Sequence, residues 1–453
     1  MIKIAFIGAG STIFMKNLVG DALTFESLCD SHFALMDIDP LRLEESRLVA
    51  QTLIQDAGKA ATISTHETLA PALEDADFVV TAFQIGGYDP GTMIDFDIPK
   101  QFGLSQTIGD TLGVAGIMRA IRTVPHLFEV AQGMRQYCPN AWLMNYVNPM
   151  AMNMWALDLA YPDIKKMGLC HSVQNTVMEL AHDLDMKPDD LRYRVAGINH
   201  VAFFLELTDQ KGRDLYPDLI KGYDQGRFPK PPLLMPRCPN KVRYEIMRHF
   251  GYFCTESSEH LAEYVPWFIK NGRDDLIEKF GIPLDEYPKR CIEQAAEWKE
   301  QAGELTSGKP LNHQKSHEMG ADIMNSLITG APIVTYINMA NKGQIPQFAQ
   351  GIMVETPCLV DGNGVQPCLV ADIPAQLRGI IQAQIAVQEL AVEAIINQDI
   401  TKLYQAAKLD PHTAAELDLD QIHQMVTKML EAHYQAGLLA DFPARHLKQM
   451  DAA

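Results

Sequence analysis

The sequence predicts an α/β protein: a doubly wound parallel sheet, followed by a mixed α+β domain packed against the sheet's C-terminal edge. Three observations carry this. An apolar run, Lys3–Ile7, ends on Gly8-Ala9-Gly10. Apolar runs and helical patterns then alternate through about residue 170, the rhythm of right-handed β-α-β units. After about residue 190 that rhythm is lost.

The first strand is Lys3–Ile7. The others expected in the sheet are Phe33–Met36, Phe78–Ala82, Trp142–Val147 and Lys166–Leu169. They read as unbroken apolar runs, as strands covered on both faces should. Helical patterns lie between them at about 13–27, 40–57, 116–136 and 150–160. Beyond residue 190, Arg194–Gly197 and Val201–Leu207 read as strands around an Asn199-His200 turn. Phe228-Pro229-Lys230-Pro231-Pro232 can only be a loop. Helices are expected to dominate from about 240 to 328, with strands at Ile333–Ile337 and Gly351–Glu355 and helices at 376–397 and 418–434. The expected division is residues 1–190, a nucleotide-binding domain, and 191–453, a substrate- and metal-binding domain.

The chain has 453 residues, is 47% hydrophobic and carries a net charge of −19. It has no Lys/Arg-rich run, which argues against a nucleic-acid surface. It has no apolar stretch long enough to span a bilayer. Met1 leads directly into a strand, with no charged n-region or apolar h-region. The expectation is a cytoplasmic protein without a membrane partner. Eight cysteines are scattered with no Cys-x-x-Cys pair, which suits reduced thiols.

Gly8 and Gly10 suit a turn that bends tightly and lets the backbone approach a pyrophosphate seated on the next helix N-terminus. The third glycine of the common fingerprint is absent, replaced by Ile13. Asp37, after the second strand, can accept bonds from ribose hydroxyls and repel a 2′-phosphate, favouring NAD over NADP. Asp39, before Pro40, suits a helix cap.

Cys170 ends the strand Lys166–Leu169, on the edge where parallel sheets bind ligands. A thiolate there, complemented by a neutral imidazole such as His200, suits a divalent transition metal. Spacing alone cannot show that the two meet, and a lone cysteine or histidine is more often a packed residue. The run Thr255-Glu256-Ser257-Ser258-Glu259-His260-Leu261-Ala262-Glu263-Tyr264-Val265-Pro266-Trp267 is dense in ionisable groups and ends on an aromatic platform. Its plainer reading is a polar helix start capped by Ser257 or Ser258.

Five segments together resemble glycoside hydrolase family 4, within it most nearly the α-galactosidase branch. They are Phe6–Thr12, Ala34–Asp39, Ala82–Tyr88, Gly168–Ser172 and Gly197–His200. The likeness reaches at least Pro411-His412-Thr413-Ala414. One departure is Gly113-Val114-Ala115-Gly116, where close relatives carry Gly-Pro-Gly-Gly.

The resemblance implies a Rossmann-type, lactate/malate dehydrogenase-like fold. It implies NAD bound by Gly8, Gly10, Ser11, Thr12, Asp37 and Gln84, and Mn2+ or another divalent metal held by Cys170 and His200. Oxidation at C3 acidifies the C2 proton, Tyr264 removes it, and His171 protonates the leaving oxygen. Water then adds and the hydride returns. Such enzymes are exceptions to two-carboxylate glycosidase chemistry. Asn148, Asn199 and Arg119 are expected against the sugar, and a homodimer or homotetramer is expected.

The rivals are another glycosidase of the family, acting on α-glucosides, phosphorylated glucosides or galacturonides, a lactate- or malate-type dehydrogenase, and a noncatalytic NAD sensor. The dehydrogenase would need an arginine clamp, for which Arg119 or Arg122 could serve, and would leave Cys170 and Tyr264 idle.

Overall fold

The computed structural model describes residues 1–231 and 238–439; Pro232 of the expected loop lies outside them. Strands β1 (Lys3–Ile7), β2 (His32–Met36), β3 (Thr62–His66), β4 (Phe78–Thr81), β5 (Trp142–Asn145) and β6 (Lys165–Gly168) run parallel in the order β3-β2-β1-β4-β5-β6. This is the Rossmann order, in which the crevice lies at the carboxyl ends of the strands. Alternate residues of β1 enter opposite cores. Ala5 and Ile7 pack toward the helices Gly113–Tyr137, Met150–Ala160 and Ala375–Asn397. Ile4 and Phe6 pack toward Thr12–Ala22, Pro40–Ala57 and Gly320–Thr329.

The sheet does not stop at β6. It continues through β9 (Ile333–Ala340), β10 (Met353–Asp361), β7 (Leu191–Ile198) and β8 (Val201–Asp209), all antiparallel to their neighbours, with β11 (Gly364–Pro367) pairing β10. The parallel and antiparallel parts join where Gly168 on β6 faces Asn338 on β9. Glu355 on β10 in turn faces both Asn338 and Gly197.

Two strands depart from expectation for physical reasons. β3 lies at the sheet edge and is half exposed, so Thr62-Ile63-Ser64-Thr65-His66 lacks the apolar run that marks the inner strands. β10 runs on to Asp361 instead of ending at Glu355, despite Pro357. That proline sits between the β7 pairing at Glu355 and the β11 pairing that begins at Cys358, where its missing N–H leaves no ladder bond unmade. The helices Met93–Gln101 and Ser172–Asp183 were also not expected.

The expected caps are present. Asp39 accepts from the N–H groups of Leu41 and Arg42, with Pro40 in the first helical turn. Ser257 accepts from His260 N–H. All eight cysteines are free thiols.

The β7–β8 turn should be intolerant of added bulk. A Cβ on Gly197 would stand 2.5 Å from the Val201 carbonyl oxygen and 2.6 Å from Ala202 Cα. Gly197→Ala is expected to lower unfolding free energy by about 1–3 kcal/mol. Gly379, inside the helix Ala375–Asn397, has nothing within 4 Å of such a carbon, so Gly379→Ala should add about 0.5–1 kcal/mol. Urea midpoints measure both; equal effects would contradict the packing described.

Candidate active site

The turn after β1 is built around Asp37. Its Oδ2 accepts from Gly10 N–H at 2.7 Å and its Oδ1 from Asp39 N–H at 2.9 Å. A Cβ on Gly10 would fall 2.7 Å from Asp37 Oδ2. Gly10 is therefore small because the carboxylate needs its space, a reason additional to approach by a pyrophosphate. Gly8 has φ +89 and a Cβ there would meet the Ala82 carbonyl at 2.5 Å. Ser11 precedes the helix Thr12–Ala22 without making a side-chain cap bond, leaving its hydroxyl available. Thr12 is buried and bonds Ser46 Oγ at 2.8 Å, so its hydroxyl is committed to the neighbouring helix. Gln84 donates to the Gly87 carbonyl and accepts from Tyr287 at 2.9 Å.

Across the crevice, three donor groups converge. Cys170 Sγ lies 3.6 Å from His200 Nε2, and Glu256 Oε2 lies 3.3 Å from the same nitrogen. Among the described residues these three form the group able to hold a metal ion, their ligand atoms all within 4.8 Å of one another. Cys170 follows β6, and His200 occupies the two-residue turn between β7 and β8. Glu256 precedes the helix Ser258–Tyr264. His200 and Glu256 both have φ +66, a left-handed backbone that non-glycine residues rarely adopt and that clusters at functional sites.

The electrostatics suit a metal. Burial lowers His200 to about 4 despite Glu256 beside it, so the imidazole is neutral and its nitrogen lone pair is available. Burial would raise Glu256, but His200, His260 and His171 outweigh it and bring the carboxyl to about 2. Burial, with Glu256 and Glu355 nearby, pushes the Cys170 thiol well up. That is the expected state of a metal-binding cysteine before a cation displaces its proton. A soft thiolate, a neutral imidazole and a carboxylate together suit a divalent transition metal.

Behind these ligands lies a second layer. Tyr264 Oη is 3.2 Å from His200 Nδ1. Burial first, then Glu263, Asp110 and Glu256, drive the Tyr264 phenol well above its ordinary value. His260 sits between carboxylates, its Nε2 3.5 Å from Asp110 and its Nδ1 3.8 Å from Glu256. Burial opposes its charge, but Glu256 and Asp110 win and raise it to about 9. Asp110 is mostly buried, which would raise its carboxyl, but His260 and Arg119 outweigh this and hold it far below the usual range. Asp110 also accepts from Asn148 Nδ2 at 3.2 Å. Arg119 is buried with its guanidinium 5.9 Å from the Tyr287 ring centroid, and its Nε has no hydrogen-bond partner.

The three glutamates of the ionisable run have separate tasks. Glu256 joins Cys170 and His200. Glu259 accepts from Arg290 at 2.9 Å. Glu263 accepts from the N–H groups of Thr107, Ile108 and Gly109 and so fixes the loop that presents Asp110. Sequence reasoning did not place Glu256 among the ligands, nor Asp110, His260 and Glu355 around them. The density of charge in 255–264 was the only signal for Glu256 and His260, and Asp110 and Glu355 lie outside that run. Trp267, the aromatic platform that ends this run, is 43% exposed and stacks on Phe250.

Asn199 is buried beside Glu355, and neither of its side-chain polar atoms makes a hydrogen bond of good geometry. His171 is half exposed, with Nδ1 3.6 Å from Glu318 Oε1. Arg122 is spent elsewhere: both terminal nitrogens bond Asp95, and Nε donates to the Ile85 carbonyl. It therefore offers no clamp for a carboxylate substrate.

Residues 3–186 match the sequence model of the family 4 glycosyl hydrolases, and residues 195–413 match that of the family 4 C-terminal domain. An α-galactosidase of Bacillus subtilis (strain 168) is 42% identical over 433 residues, covering 96% of this chain and 98% of the relative. Among solved structures, a 6-phospho-α-glucosidase from gut microorganisms, in complex with NAD and Mn2+, superposes with a TM-score of 0.80. It is 22% identical and covers 97% of this chain and 99% of its own. A malate dehydrogenase of Cryptosporidium parvum, 14% identical, has a TM-score of 0.51, covering 87% of this chain and 99% of its own; it shares the fold alone.

Two outcomes follow from this geometry. Glu256→Gln and Cys170→Ser should each weaken Mn2+ binding by an order of magnitude or more, whereas Cys138→Ser should not. Elemental analysis after gel filtration reads the difference, and stoichiometric Mn2+ in both ligand variants would remove these residues from the metal set. The second outcome concerns Glu355. Burial raises its carboxyl to about 8, well above the ordinary glutamate value near 4.3. The folded protein therefore keeps a proton that the unfolded chain releases between those limits, and stability falls as pH rises through that window. In chelator-treated protein, Glu355→Gln should lose less stability than the native sequence between pH 5 and 8.5. Parallel urea midpoints across that range would contradict the assignment.

Proposed function

The chain belongs to glycosyl hydrolase family 4, and from that membership we propose that it is an NAD- and divalent-metal-dependent α-galactosidase. The chemistry rests on one observation: Cys170, His200 and Glu256 converge beside the nucleotide-binding edge of a Rossmann sheet. The choice of sugar rests on the 42% identity to the Bacillus α-galactosidase. Arg122, committed to Asp95, weighs against a 2-hydroxy-acid dehydrogenase.

When bound, NAD would accept hydride from C3 of the sugar and later return it, and a divalent metal would act as Lewis acid toward the C2 and C3 oxygens. The chain's own residues do the rest. Gly8, Gly10 and Ser11 form the pyrophosphate turn, with Thr12 anchoring its helix. Asp37 accepts from ribose hydroxyls while stapling the turn, and Gln84 borders the cofactor. Cys170, His200 and Glu256 hold the metal.

Tyr264 takes the C2 proton. Its phenol must ionise in a buried place, and the cationic His260, whose ring centroid is 5.8 Å from that of Tyr264, favours the phenolate. Asn148, Asn199 and Arg119 receive the sugar hydroxyls. The unpartnered polar atoms of Asn199 and Arg119 are suited to that task, because buried polar groups are rarely left unpaired. His171 delivers a proton to the leaving oxygen. The site lies within a chain that, among described residues, has one helix apolar and long enough to cross a membrane, Ala375–Asn397. That helix packs in the core instead. We place the protein in the cytoplasm as a homo-oligomer.

The decisive test uses nitrophenyl α-galactoside with NAD, Mn2+ and a reductant. Omitting NAD or adding a chelator should each abolish turnover. Substrate carrying deuterium at C2 should lose label to water, and Tyr264→Phe should stop that exchange while NAD still binds. Product that keeps all its C2 deuterium would falsify the elimination route.

A further inference from the structure

Next to Cys170 a small pocket is lined by Tyr146, His171, Gln174, His317 and Glu318. None of the groups assigned to NAD or the metal ligation accounts for Glu318. It lies at the end of an irregular stretch, residues 306–319, that crosses the first Rossmann helix and leads into the helix Gly320–Thr329. That stretch is tied down along its length. Leu311 N–H donates to Asp56 at 2.6 Å. His313 Nε2 lies 2.8 Å from Asp21 Oδ1, and Ser316 donates to Asp21 through its N–H and its hydroxyl. Asp21 is fully buried on the helix Thr12–Ala22, and the His313 ring occupies the space where Gly20 has no side chain. Ser316 Oγ then accepts from Glu318 N–H at 3.1 Å. The Glu318 backbone is thus fixed to the helix that follows the nucleotide-binding turn.

The Glu318 side chain is 14% exposed and its Oε1 stands 3.6 Å from Nδ1 of the half-exposed His171. A carboxylate this near one ring nitrogen favours a proton on that nitrogen and leaves the other free for work. Gln174 and His317 add hydrogen-bonding groups to the same walls.

We propose that Glu318 is a positioning residue that turns His171 toward the leaving oxygen. This rests on the glycosidase reading above. As the C1–O bond breaks, its electron pair passes to the leaving oxygen, and the proton from His171 Nε2 neutralises it. Glu318 keeps its own charge state and touches no reacting atom.

The test compares leaving groups. An α-galactosyl-glucose disaccharide needs protonation at its leaving oxygen, whereas nitrophenolate needs little. Glu318→Ala should lower kcat on the disaccharide by roughly 10- to 100-fold, the scale of a partly lost general acid. Its loss on nitrophenyl α-galactoside should be at least tenfold smaller, and Glu318→Gln, which keeps the shape, should fall between the native and Ala forms. In a His171→Ala background, Glu318→Gln should cost nothing further on the disaccharide, since it acts through the absent ring. Equal losses on both substrates, or full additivity with His171→Ala, would overturn the proposal. Should the native protein hydrolyse a different α-glycoside instead, the choice of sugar falls, and the same comparison run on that glycoside still decides the role of Glu318.

Discussion

The junction between Gly168 on β6 and Asn338 on β9 sets the rest of the molecule. There a parallel sheet, able to receive a nucleotide at its carboxyl edge, becomes antiparallel without a break. Had the second half packed elsewhere as a separate layer, Cys170 would end a strand facing solvent. Instead the antiparallel strands bring the Asn199-His200 turn beside it, and Glu355, opposite Asn338 and Gly197, fills the space between. A protein interior does not tolerate such a polar cluster unless its members are paired. Much of the surrounding architecture consists of partners for these groups.

Those partners come from distant parts of the chain. Arg243 is fully buried and bonds Thr176, Asn240 and Glu179, while its N–H donates to Ser258 Oγ. It therefore locks the helix that begins just after His171 to the helix that carries His260 and Tyr264. Glu263 holds the 107–109 backbone, which sets Asp110 against His260. Removing one partner from a buried pair of this kind is costly because the other charge stays behind. The geometry of the cluster is thus maintained by buried pairs drawn from distant parts of the chain.

Charge in the cluster alternates in a way that serves its chemistry. His200 is kept neutral by burial, and His260, flanked by Glu256 and Asp110, is kept cationic. The two rings meet edge-on, with centroids 4.8 Å apart. Two histidines in contact thus hold opposite protonation states: both lie beside Glu256, but burial prevails at His200, whereas Glu256 and Asp110 prevail at His260. This division provides a lone pair for a metal and a positive charge near the buried phenol.

The sequence by itself determined the parallel half of the fold. Doubly covered strands must be unbroken apolar runs, and Gly8, Gly10, Asp37 and Asp39 sit at fixed offsets within one β-α-β unit, which brings Gly10 to Asp37 across 27 residues. The same reading could nominate Cys170 and His200, but their meeting depends on β9 and β10 reaching between β6 and β7, a long-range pairing that no local pattern encodes. Glu256 was hidden for the same reason: its left-handed backbone and its place opposite His200 come from packing, and in the sequence it is one of three similar glutamates. Tertiary structure assigned one of them to the ligand cluster, one to Arg290 and one to a loop backbone. Only contact decides such roles, because a carboxylate takes its function from the charge and hydrogen-bond donors it faces, not from its neighbours along the chain.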